Sequence, residues 1–204
     1  MPRPVQAPQV RREPRRRRNV TFSRAWLLGG GGAVAAIVIA VVLATVLGGG
    51  GSSEALAAAG CSQETFSEQG RNHVTELEEG FEYNSTPATS GPHNPEPALW
   101  GIYDRSVEEI RAVHNLEHGG IVVQYGEDVP EGTAQAIRDW YAGGDRRGIL
   151  VAPMPELGAG IALTAWTKLA TCTTFSAAAA DEFVDLHRGK GPERFPLEAM
   201  QPGQ

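Results

Sequence analysis

The sequence predicts a small α+β domain, one mixed sheet with helices packed on it, preceded by one transmembrane helix. Three observations carry that reading. An uncharged run of 23 mostly apolar residues occupies positions 25–47. Beyond it, periodic apolar signals follow the order helix, strand, helix, strand, strand, helix, the pattern of a sheet covered by helices. The only two cysteines, Cys61 and Cys172, bracket most of that pattern.

Residues 1–24 hold eight arginines against a single acid, Glu13, with no apolar periodicity, and read as a disordered basic tail. The next stretch, AWLLGGGGAVAAIVIAVVLATVL, spans about 34 Å as a helix, enough for a hydrocarbon core of about 30 Å. It is also longer than the apolar core of a signal peptide. Arginines on its N-terminal side place the tail in the cytoplasm and everything after residue 47 outside the cell membrane. Two rival readings are weaker. RRRRNVTF only faintly matches a twin-arginine export signal. LAAAGC matches a lipoprotein box poorly, because Ala58 stands where a larger aliphatic is usual and the apolar run has already ended.

Residues 48–60, rich in Gly, Ser and Ala, suit a flexible linker. The extracytoplasmic domain is expected over 61–193. Its first 40 residues are irregular, with FEY (81–83) as a strand candidate, and Trp100 and Tyr103 imply an ordered loop because they need burial. Ser106 and Glu109 form an S-x-x-E capping box ahead of Val107, Ile110, Val113 and Leu116, and Gly119-Gly120 stop that helix. IVVQY (121–125) is a buried strand, and a helix runs over 130–142 from Pro130. GILVAP and IALTAWTKLATC predict two further strands, paired as a hairpin across MPELGAG. A last helix covers 177–187, and residues 194–204 suit a flexible tail.

Charge narrows the function. After residue 47 there are 23 acids and 10 bases, a net charge near −13 that the basic tail masks in the whole chain. Such a domain does not bind nucleic acid through phosphates. Lipid is the expected contact of the apolar span, and anionic headgroups that of the basic tail. An even cysteine count outside the cytoplasm favours a Cys61–Cys172 disulfide, and no C-x-x-C redox pair is present.

Chemistry concentrates in VHNLEHGGIVVQY (113–125). His114, Glu117 and His118 make an H-x-x-E-H string, the pattern of inverted zinc peptidases, in which a helix presents both imidazoles to one ion and the glutamate serves as base. The following Gly-Gly and strand are the wrong context for that enzyme, which embeds the motif in a long helix. His73, His93, His114 and His118 nevertheless fall within 46 residues, leaving His187 as the one other histidine. Imidazoles suit zinc or copper, so His93, His114 and His118 are the expected ligands, with His73 and Glu117 as a further ligand or an orienting partner. SGPH around Ser90 reads as a tight turn, Trp166 as core, and the glycines of HRGKGPE as a helix stop.

YNSTPATSGPH, WGIYD, VHNLEHGGIVVQY, IALTAWTKLATC and RGKGPE, taken in order, resemble the bacterial family called domain of unknown function 3105 (DUF3105) over about residues 71–193. The resemblance implies a small actinobacterial-type protein with an N-terminal membrane segment and no established activity. His73, His93, His114, Glu117 and His118 match histidine and glutamate positions of the family's motifs. The expectation is a single-pass membrane protein whose outer domain binds a transition metal. Two alternatives are a zinc hydrolase using Glu117 as base and a cell-envelope interaction module with structural histidines.

Overall fold

Strands and helices follow the hydrophobic pattern over residues 54–204, which the computed structural model describes. The expected basic tail and transmembrane span, 1–24 and 25–47, lie outside the described residues, none of whose helices is long and apolar enough to cross a membrane. In chain order the elements are α1 (Glu54–Ala58), β1 (Ser62–Thr65), β2 (Gly101–Ile102), α2 (Glu109–Glu117), β3 (Ile121–Tyr125), α3 (Glu131–Gly143), β4 (Ile149–Pro153), β5 (Ile161–Ala165), β6 (Lys168–Cys172) and α4 (Ala177–His187). Short 3-10 turns occur at Pro155–Leu157 and Leu197–Ala199.

The sheet is mixed, as expected, with strand order β1-β6-β5-β3-β4-β2. β3 and β4 are parallel, and the 13-residue α3 makes the crossover that parallel neighbours require. β5 lies antiparallel on the other side of β3, followed by β6 and β1. Side chains alternate between two cores. Ile121, Val123, Ile149 and Val151 face one, with Leu56, Ile137 and Phe183 from α1, α3 and α4. Val122, Leu150 and Ala152 face the other, with Ala112 and Leu116 of α2, Trp100 and Met200. Burial on both faces explains why the central strands are continuous apolar runs. Each such side chain contributes about 1.5–3 kcal/mol.

Several expectations are corrected. IALTAWTKLATC is two strands joined by Trp166-Thr167, and β4 forms no hairpin across MPELGAG; that loop instead carries the chain past β3 to its far side. The true turn was hidden because Thr167, at φ 62°, takes a left-handed conformation that β-branched residues rarely adopt. Backbone bonds hold it there: Thr167 N–H donates to Thr89 O, and its carbonyl accepts from Phe66 N–H. The S-x-x-E box does not form. α2 begins at Glu109 without a side-chain cap, and Glu109 accepts from the Ala88 N–H at 2.6 Å instead. FEY is not a strand.

Both ends of the described chain are docked. The expected linker contributes α1, whose Leu56 is fully buried. The expected flexible tail places Met200 in the core, accepts at Met200 O from the Gly148 N–H, and bonds Gln204 O to the Trp100 N–H. Trp100 in turn leaves no room for a side chain at Gly120, where a Cβ would come within 2.2 Å of its ring.

The Cys61–Cys172 disulfide is present, next to the Ser62–Thr171 pair that ends the β1–β6 ladder. It closes a loop with a sequence separation of 111. In the chain-entropy account such a loop contributes roughly 4–5 kcal/mol. Replacing both cysteines, Cys61→Ala with Cys172→Ala, is therefore expected to lower the unfolding free energy by about 2–5 kcal/mol, read from the urea midpoint.

Candidate metal centre

Helical spacing puts His114, Glu117 and His118 on one side of the C-terminal end of α2, three and four residues apart. The irregular segment before β2 is laid against that side. Asn115 fixes it by accepting from the Ala98 N–H at 3.0 Å and donating to Ala98 O at 2.9 Å. The Asn94 N–H donates to Ile110 O in the first turn of α2. Two strands of loop then pair for a single step: the His93 N–H donates to Asn72 O and the Val74 N–H to His93 O, setting His73 beside His93. Their ring centroids are 4.8 Å apart, and each stands 5.0 Å from that of His114.

Backbone carbonyls decide which nitrogens are free. A carbonyl only accepts, so the 2.8 Å contact between His93 Nδ1 and Gly91 O requires a proton on Nδ1. The same holds for His114 Nδ1 and Asn94 O at 2.6 Å. In the neutral ring each Nε2 therefore keeps a lone pair. Yet His93 Nε2 stands 2.9 Å from Glu117 Oε2, with His93 fully buried and Glu117 3% exposed. Two acceptors in contact at that depth need a proton or a cation between them. His73 Nε2 approaches the same oxygen at 3.5 Å. Four ligands about 2.05 Å from a zinc ion in a tetrahedron stand about 3.3 Å apart, and the two distances bracket that edge.

A second group continues outward. His118 Nε2 lies 3.0 Å from His114 Nε2 and 3.0 Å from Glu193 Oε2. Burial holds the His114 imidazole below the usual histidine range, against the hydrogen bond to Asn94, and the neighbouring His93 and His73 deepen the effect. Burial, then His114, lowers His118 in the same direction. Both shifts favour the neutral ring, the form that ligates a metal. Ligand atoms lie within 4.8 Å of one another in two sets, His73–His93–His114 and His114–His118–Glu193.

All five expected site residues thus meet, but the expected trio of His93, His114 and His118 is divided between the two sets. Glu193 was missed. Its placement comes from the glycines of HRGKGPE, which do more than stop a helix: the Gly189 N–H donates to Gly119 O, and a Cβ on Gly191 would fall 2.2 Å from Gly119 N. The one sequence signal for Glu193 was its position in the RGKGPE motif. Phe195 stacks on His118 at 4.2 Å. Trp166 is only partly buried, edge-on to His93 at 6.2 Å and bonded through Nε1–H to Glu68. Ser90 is buried, and its hydroxyl accepts from the Gln69 N–H. His187 packs on Phe183, in neither set.

Fold and cluster together define a class: an α+β domain whose irregular first third wraps a helix to enclose a histidine–carboxylate centre. The chain belongs to the family described as protein of unknown function (DUF3105), whose sequence profile matches residues 73–198, a span that takes in both sets. No curated protein and no solved structure matches it.

Because His93 Nε2 has Glu117 as its buried polar neighbour, Glu117→Ala is expected to cost about 1–3 kcal/mol of stability by leaving that nitrogen unpaired. A double-mutant cycle with His93→Ala should return a coupling of about 0.5–3 kcal/mol, measured by urea unfolding; additive losses would show the contact to be idle.

Proposed function

We propose that the domain binds one transition-metal ion, zinc or copper, through His73, His93, His114 and Glu117. The observation that supports this most directly is the buried contact of His93 Nε2 with Glu117 Oε2 at 2.9 Å, which, with Nδ1 committed to a carbonyl, calls for a proton or a cation between the two atoms. Three imidazoles and one carboxylate are a donor set suited to either metal, and the acidic surroundings lower the cost of holding a dication. His93 and His114 each donate Nδ1–H to a backbone carbonyl, the support that orients ligating histidines. Under the hydrolase alternative Glu117 would be a free base beside the ion. Its engagement with two imidazoles favours a ligand role instead.

In this reading residues 25–47 anchor the domain to the cell membrane, with the basic tail in the cytoplasm against anionic lipid and the metal centre outside. Protease added to intact cells stripped of their wall should then digest the domain and spare the tail; protection of the domain until lysis would reverse the orientation.

Metal analysis of the purified chain tests the ion. Zn²⁺ or Cu²⁺ at 100 times its dissociation constant should stabilise the fold by about 2.7 kcal/mol. His93→Ala with His114→Ala should abolish both the bound metal and the thermal shift. A wild-type chain that carries no metal and gains nothing from either ion would defeat the proposal.

A further inference from the structure

The two ligand sets have one member in common, and that member has one nitrogen to give. His114 belongs to both sets, and its Nδ1 is tied to Asn94 O at 2.6 Å. Bridging two ions through one imidazole uses both ring nitrogens, so this ring coordinates one ion at a time through Nε2. We infer that the cluster is a two-position site for a single ion, in which His118 and Glu193 form an outer position that passes the ion to His73, His93 and Glu117 while His114 stays bound throughout. The inference rests on the metal-binding reading above and adds the route by which the ion arrives and leaves.

The chemistry of the transfer is balanced. With Glu117 counted inside through its contacts with His93 and His73, and Glu193 outside, one carboxylate faces the ion before and after the move. The ion loses His118 and Glu193 and gains His93, His73 and Glu117, one imidazole more, which makes the inner position the resting one. No bond to His114 breaks. The vacated outer pair closes on itself: the His118 ring, protonated on Nδ1 while Nε2 holds the ion, gives up that proton to solvent and takes one on Nε2, which donates to Glu193 Oε2 at 3.0 Å. The outer position holds one open ligand, with side-chain accessibility 42% at Glu193 and 12% at His118; the inner one combines the exposed His73, at 46%, with Glu117 at 3% and His93 fully buried.

The outer pair is also rigidly placed. The Glu193 N–H donates to Glu117 O at 3.3 Å, and the Gly191 backbone presses on Gly119 with no space for a side chain. Phe195 stacks on the His118 ring at 4.2 Å. Glu193 therefore approaches the helix end along a fixed path.

The test uses the full chain, Zn²⁺ and a competing chelator. Titration should saturate at one Zn²⁺ per chain in the wild type and in Glu193→Gln and His118→Ala. Loading by free Zn²⁺ and removal by the chelator should both slow in each variant, and by the same factor, because only the route to the resting position is lost. His114→Ala should bind none at either position. Two ions per wild-type chain, unchanged exchange rates in both variants, or loss of the resting ion on Glu193→Gln would each overturn the relay while leaving metal binding in place. A wild-type chain that takes up no Zn²⁺ or Cu²⁺ would instead remove the reading beneath it.

Discussion

Two backbone carbonyls govern the centre. Gly91 O and Asn94 O each take the Nδ1 proton of a histidine, and that leaves the lone pairs of His93 and His114 on Nε2. Were these rings free to rotate or to exchange tautomers, the cluster would relax into ordinary hydrogen bonds. Held as they are, they turn Nε2 of His93 toward Glu117 and Nε2 of His114 toward His118 in the interior. The irregular segment before β2 supplies both carbonyls, and the Asn115–Ala98 and Asn94–Ile110 bonds hold it to α2.

The sheet and α2 provide the platform. Leu116 and Ala112 seat α2 on Val122 and Leu150, while Asn115, one position along, clamps the loop at Ala98. His114, Asn115 and Glu117 are therefore buried polar residues on a helix whose neighbours are apolar, each with its own partner. The Gly119–Gly191 contact joins the end of α2 to the segment after α4, which packs on the opposite face of the sheet. Both faces thus contribute to one centre.

The legible part of the fold was the part that packing dictates. β3 and α4 appear at the bounds the sequence implies, because a run of buried residues and an alanine-rich apolar stretch ending in Gly189 have few alternatives. β1 was invisible, since SQET is exposed along its whole length and its place is set by pairing with β6. The hairpin at Trp166-Thr167 carries no glycine or asparagine, and its turn is held by Thr89 and Phe66, which are remote in sequence. At the site, the density of histidines in 46 residues was signal enough to find four of the imidazoles. Their division into two sets was not, because it depends on which ring nitrogen a distant carbonyl engages. Glu193 escaped for a related reason: a close approach of two glycine backbones leaves no periodic trace.

Cys61 stands at the point where the chain enters the sheet, and its sulfur is joined to the last residue of β6. β1 and β6 are antiparallel neighbours, so tension applied from the N-terminal side would begin to unzip their ladder at Ser62 and Thr171, one hydrogen-bonded pair after another. The covalent bridge lies at that same end, ahead of the first pair. A pull from the N-terminal side is thereby carried into β6 before any pair of the ladder is loaded, and the loops that hold the histidines follow the bridge in the chain.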